Sequence, residues 1–120
     1  MVAFIRKHID SVEQLEILLL LHAHPDRSWL PQEVSKELRS SCTSTAKRLQ
    51  EFVHKNIIAG SENSEIRYIY DPKAEENQTA IAALAGAYHT KRLTVIEEIF
   101  SQPSDKIKVL ADAFKLRQDD

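Results

Sequence analysis

Residues 29–58 read WLPQEVSKELRSSCTSTAKRLQEFVHKNII, and the spacing of their apolar side chains decides the architecture. Pro31 suits the first position of a helix, where its missing N–H costs nothing, and Val34 and Leu38 give that helix one apolar stripe. The polar run from Arg39 to Ser44 interrupts it, and a second helix is predicted over about residues 42–55. With Leu49 set inward on a wheel of about 100° per residue, Cys42, Ala46 and Val53 fall within about 60° of it and are predicted as the buried side. Thr43, Ser44, Lys47 and Glu51 fall on the opposite face, flanked by Arg48, Gln50, His54 and Lys55. Short hydroxyls at the helix start allow close approach to a surface, and longer cations further along reach phosphates or guanine edges.

Working outward, Ser11-Val12-Glu13-Gln14 has the form of a capping box, so a helix is expected to begin there and run to Pro25. Its apolar residues, Leu15 and Ile17 to Leu21, surround more than one face, which is the pattern of a central, largely buried helix. Val2, Phe4, Ile5 and Ile9 suggest a short N-terminal helix packed on it. Downstream, Ile57-Ile58-Ala59-Gly60 reads as a strand, SENSE (61–65) as a turn, and IRYIY (66–70) as a returning strand with Ile66, Tyr68 and Tyr70 on one face.

After Asp71-Pro72 comes a long helical stretch, from Ala74 to about Ser101, with a stripe of Ile81, Leu84, Tyr88, Val95, Ile96, Ile99 and Phe100 interrupted around Lys91-Arg92. Unbroken, it would span roughly 40 Å, more than a small domain needs for its own core, and Gly86 offers a place to bend. Pro103 ends it. Ser104 can cap a last helix whose stripe is Ile107, Leu110, Ala111 and Phe114.

The chain has 120 residues, 42% of them apolar, enough for one domain with a core. Two glycines and four prolines favour long helices over a turn-rich sheet, so the expected class is mostly α. The net charge of −2 conceals a local excess: residues 39–59 carry four basic groups and one acidic. A global deficit does not exclude a nucleic-acid partner when a basic patch meets the phosphates.

The longest purely apolar run, Ile17 to Leu21, is far too short to span a membrane, and the expected compartment is the cytoplasm. A lone cysteine, Cys42, can form no internal disulfide, and His22 and His24 have no ligand spacing; no metal and no cofactor are expected. With no glycine-rich phosphate loop, no Gly-x-Ser-x-Gly and no acidic cluster for magnesium, no catalytic residue is assigned and an enzyme is not expected.

The order helix, helix, turn, helix, hairpin over residues 10–71 resembles the winged helix-turn-helix of bacterial transcription regulators, including the MarR-like group. The likeness is carried by Trp29 ahead of the Pro31 helix, by Glu33-Val34, Leu38, the polar turn and Leu49. It continues in Lys55-Asn56-Ile57-Ile58, where such domains usually have Gly-Leu-Ile or similar. It implies a winged helix-turn-helix over residues 1–71 with a small β-hairpin wing, and a 72–120 extension of two additional helices. It also implies a sequence-specific regulator of transcription that puts the 42–55 helix in the major groove of double-stranded DNA. Thr43, Ser44, Lys47, Arg48 and Lys55 would then face the duplex, with Arg67 as the wing's cation. Because GSENSEIRY (60–68) sets only Arg67 against Glu62 and Glu65, a second possibility stays open, a winged-helix module that docks a regulatory protein through the same basic face. The stripe after Ile81 either folds back on the winged domain or pairs with a second copy, and a homodimer is the expectation.

Overall fold

Ser11 does start a helix. In the computed structural model, which describes residues 2–61 and 65–101, a short α1 (Val2–His8) leads into α2 (Val12–Ala23). The Ser11 hydroxyl accepts from the Gln14 amide, while the Gln14 side chain reaches one residue further back than a capping box requires and accepts from the Asp10 amide. Leu15, Ile17, Leu18 and Leu21 are buried and Leu19 and Leu20 partly so, which makes α2 the hub on which the other elements pack.

Next come α3 (Pro31–Leu38) and α4 (Cys42–His54), the helix-turn-helix pair. The tight turn between them is made by Arg39, in the left-handed region at φ 55° and ψ 44°, where glycine is the commonest residue. Ser41 then caps α4 by accepting from the Ser44 amide, and the Ser40 hydroxyl bonds to the buried Thr45 hydroxyl at 2.9 Å. The buried side of α4 is Thr45, Leu49 and Phe52, a face rotated away from the predicted one; Ala46 and Val53 are only half-buried. Cys42, predicted inward, is exposed. It shares the azimuth of Leu49 but stands about two turns nearer the helix start, roughly 10 Å along the axis, past the surface on which α4 rests.

The chain leaves α4 through Asn56 at φ 60°, a conformation that asparagine tolerates better than most residues and that explains why related patterns carry glycine there. The wing is the antiparallel pair β1 (Ile58–Gly60) and β2 (Tyr68–Tyr70), in a register that sets Ile58 opposite Tyr70 and Gly60 opposite Tyr68. Trp29 adds a bridge that the sequence did not predict. Its backbone exchanges both hydrogen bonds with Tyr68, at 2.7 and 2.8 Å, so the loop before α3 is stitched to the wing. The returning strand is shorter than expected, and Ile66 lies outside it with 45% of its surface exposed rather than sharing a buried face with Tyr68. Residues 62–64 of the predicted turn lie outside the described residues.

The long helix expected after Ala74 is two helices, α5 (Glu75–Thr90) and α6 (Arg92–Ser101), and the break is at Lys91, not at Gly86, which sits exposed within α5. The break lets α5 bury Ile81 and Leu84 while α6 turns Val95 and Ile99 back into the same core cluster as Phe4 and Ile5 of α1. Ion pairs dress the seam: Arg6 with Glu98 at 3.4 Å, and Arg92 with Glu16 of α2 at 3.7 Å. The predicted helix of Ile107, Leu110, Ala111 and Phe114 lies outside the described residues, so the two helices seen after the wing are α5 and α6. The fold is thus mostly α, a winged helix-turn-helix with a two-stranded hairpin. None of the described helices is long and apolar enough to cross a membrane.

Leu49 is fully buried between α4 and the hub. Leu49→Ala should therefore cost about 2–5 kcal/mol, read as a lower denaturation midpoint with an unchanged slope; a variant as stable as the parent would refute this seating of α4.

Candidate nucleic-acid interface

The burial of Thr45, Leu49 and Phe52 dictates which side of α4 is left to solvent. Thr43, Lys47, Gln50 and His54, spaced four, three and four apart, form one exposed stripe. Two of the six residues singled out from the sequence, Thr43 and Lys47, stand on it. At the end of α3, Lys36 and its C-cap Arg39 are also exposed cations close in sequence to the turn.

Ser44, Arg48 and Lys55 are on another strip and are engaged within the fold. The Ser44 hydroxyl donates to Glu13 of α2. The Arg48 guanidinium donates from Nη1 to both Glu51 oxygens at 3.3 Å, and its Nε lies 3.6 Å from Glu13. Glu51 in turn accepts from the buried Gln14 amide at 3.0 Å. This is a closed polar cluster that bolts α4 to the start of α2. Lys55 is turned the other way: its Nζ donates to the His8 carbonyl at the end of α1, at 3.0 Å. That ammonium, with Lys7, adds to burial in holding the His8 imidazole below its ordinary pKa.

Arg67 is also held, by Glu33 at the start of α3, at 3.6 Å. Glu33 accepts from the Leu30 amide at 2.8 Å, so it caps α3, and it lies 3.6 Å from Arg27, whose guanidinium sits over the Trp29 ring at 3.6 Å. The amide of Leu30 foremost, then the charges of Arg27 and Arg67, hold the Glu33 carboxyl below the ordinary glutamate range against the opposing effect of desolvation. The wing base is thus a neutralised cluster rather than a free cation.

Gln50 and His54, which the sequence reading set at the flank of the outward face, lie on the stripe itself, and two further residues, Lys36 and Arg39, join the face without having been assigned to it. Lys36 could have been found, since the Val34 and Leu38 stripe leaves it outward; Arg39 could not, since its direction depends on a left-handed backbone angle. Between α4 and the wing lie two open hollows of about 280 Å³ each, both lined by Gln50, Ile66 and Tyr68. Among the described residues, no group of three or more His, Cys, Asp or Glu side chains could hold a metal ion.

No protein-family model matches the chain, and no curated protein matches its sequence. Solved structures do match its shape. The adhesin competence repressor AdcR from Streptococcus pyogenes superposes with a TM-score of 0.55 at 18% identity, over 92% of this chain and 78% of that one. A MarR family protein from Bacillus stearothermophilus gives 0.54 at 16%, over 98% and 79%. A point variant of S. aureus MepR bound to an oligodeoxyribonucleotide gives 0.53 at 16%, over 89% and 75%. At these identities the likeness establishes the fold, that of MarR-family winged-helix regulators.

Because the folded Glu33 pKa lies below its ordinary 4.5, its contribution to stability is complete above that value and is lost as pH falls through the lowered one. Glu33→Gln keeps an acceptor for the Leu30 amide but removes the charge, so it should flatten that part of the acid limb in denaturation at stepped pH. An NMR titration placing the Glu33 carboxyl at or above 4.5 would contradict the cluster.

Proposed function

We propose that this chain, which carries the fold of MarR-family winged-helix regulators, is a DNA-binding regulator of transcription that inserts α4 into the major groove of double-stranded DNA. The observation that carries it is the division of polar groups on α4. Ser44, Arg48, Glu51 and Lys55 serve the fold, whereas Thr43, Lys47, Gln50 and His54 are exposed along one edge. That edge offers a hydroxyl, a cation, an amide and an imidazole, the groups that meet base edges. The MepR structure bound to an oligodeoxyribonucleotide supports the use of such a fold on DNA.

The roles follow from position. Thr43 and Lys47 face the floor of the groove, Lys36 and Arg39 reach phosphates beside it, and Ser44 and Arg48 keep α4 in place through α2. Lys55 stabilises the contact with α1, and Arg67 reaches DNA only by leaving Glu33. We further propose a two-fold homodimer. On α6, Leu93 and Phe100 are each 75% exposed with the half-buried Ile96 between them, an apolar edge at helical spacing that a second copy would cover. Two copies double a small set of cations and set a half-site spacing.

With Lys36 and Arg39 set against phosphates on each protomer, a dimer neutralising about four phosphates should show a log–log salt slope of roughly −3.6. Lys47→Ala, where the side chain reads a base, should cost about 1–3 kcal/mol and relax preference at one position; Lys55→Ala should leave the slope unchanged. Failure to retain any duplex at ~50 mM salt, where the electrostatic attraction is strongest, rejects the function.

Assembly has its own check. Mass measurement at micromolar concentration should find a dimer, and Leu93→Glu with Phe100→Glu should give a folded monomer. A parent protein that is monomeric throughout would mean the α6 edge is covered from within the chain.

A further inference from the structure

The start of α3 holds an anion of the protein's own. The Glu33 carboxylate accepts from the Leu30 amide through Oε1 at 2.8 Å, and each of its oxygens lies 3.6 Å from a different guanidinium, Oε1 from Arg67 of the wing and Oε2 from Arg27 of the loop before α3. A backbone N–H and two arginines converging on one pair of oxygens are also the groups that proteins set around a DNA phosphate. Here a carboxylate fills the seat.

The cluster borders the face proposed to meet DNA. One hollow is lined by Leu30 and Gln32 at the start of α3, by Gln50 of α4 and by Ile66 of the wing, so the three elements stand side by side. The Arg67 and Arg27 side chains are 43% and 50% exposed, open enough for a phosphate to approach. The backbone beneath them is pinned. The Arg67 amide donates to the Ser61 hydroxyl and its carbonyl accepts from the Ser61 amide, both at 2.9 Å, while the next residue, Tyr68, is bridged in both directions to Trp29. Arg27 is further committed by its place over the Trp29 ring, whereas Arg67 pairs with no other carboxylate among the described residues.

We propose that Glu33 is an autoinhibitory residue: its carboxylate occupies, from within the chain, a phosphate seat made by Arg67, Arg27 and the Leu30 amide, and so holds the wing's cation off DNA. This rests on the entry of α4 into DNA and adds what sets the strength of that contact. Moving Arg67 to a phosphate exchanges one anion for another with no net gain of pairing, so the parent binds with Arg67 still on Glu33. Acid near neutrality does not lift the hold, because the Leu30 amide foremost, and then the two arginines, keep Glu33 ionised to below its ordinary range.

The test is the salt dependence of binding to a mixed pool of duplexes between ~50 and ~200 mM salt, a range over which electrostatic attraction falls steeply. Glu33→Gln keeps an acceptor for the Leu30 amide and removes the charge. It should bind every duplex more tightly than the parent, with a log–log slope steeper by about 1.8 for a dimer that gains one phosphate per protomer, so that its advantage shrinks roughly 12-fold across that range. Arg67→Ala alone should leave the slope of the parent unchanged. Glu33→Gln combined with Arg67→Ala should bind like the parent, a cancellation that a purely structural role for Glu33 would not give.

A Glu33→Gln protein that binds no more tightly than the parent, or a double variant that keeps the gain, overturns the inference while leaving DNA binding intact. An Arg67→Ala protein with a flatter slope than the parent places Arg67 on a phosphate already and overturns it as well. Retention of no duplex by the parent removes both this inference and the function beneath it. Should Glu33→Gln fail to fold, the slope of Arg67→Ala decides: unchanged, it sustains the hold on Arg67; flattened, it refutes it.

Discussion

Everything on the candidate face depends on how α4 is seated on α2. Thr45, Leu49 and Phe52 supply the apolar contact, but apolar burial is non-directional and tolerates some rotation of a helix about its axis. The polar cluster supplies direction. Gln14, 1% exposed, must satisfy both ends of its amide, and it does so with the Asp10 amide and the Glu51 carboxylate. Glu51 is in turn neutralised by Arg48, and Arg48 by Glu13. Turning α4 by one residue would break the links from Gln14 to Glu51 and from Arg48 to Glu13, leaving a buried donor and a carboxylate unpaired, which is far costlier than the hydrogen bonds are worth when made. The outward edge of Thr43, Lys47, Gln50 and His54 is therefore a consequence of what Gln14 requires.

This seating redistributes the charge that the sequence displays. Residues 39–59 hold Arg39, Lys47, Arg48 and Lys55, and a count along the chain treats them as equivalent. In the fold, Arg48 lies against two carboxylates and Lys55 against a backbone carbonyl, so half of the apparent patch is internal wiring. Lys36, which belongs to a segment of net negative charge, is by contrast exposed beside the turn. Charge location on a helix thus follows from the packing of the helix, and only then from its composition.

The elements that were legible in the sequence are those fixed by local chemistry: the Ser11 cap of α2, Pro31 opening α3, and the inward Val34 and Leu49. Those that were not legible depend on partners distant in the chain. The break at Lys91 shows in the sequence only as an interruption of the apolar stripe, with no glycine or proline to announce it; it lets Val95 and Ile99 join the core cluster that holds Phe4 and Ile5 of α1, some ninety residues earlier. The bridge from Trp29 to Tyr68 joins backbone groups, which leave no trace in side-chain pattern. Of the site itself, Thr43 and Lys47 could be placed from periodicity, whereas the engagement of Arg48, Lys55 and Arg67 needed Glu13, His8 and Glu33 to be brought alongside.

A regulator with few free cations and an acidic wing would have a particular balance of energies. Sequence-independent attraction to DNA scales with the phosphates a protein neutralises, so sequestering Arg48, Lys55 and Arg67 lowers affinity for every duplex alike. Hydrogen bonds to base edges would be untouched by that loss in such a regulator, since Lys47 and Gln50 are exposed on the outward edge of α4. Occupancy of a target in a genome is set by the ratio of specific to non-specific affinity multiplied by the number of competing sites, not by absolute affinity. Holding cations inside the fold therefore costs little in occupancy so long as the base-reading side chains stay fixed. The polar cluster that bolts α4 to α2 is what would hold that edge in place.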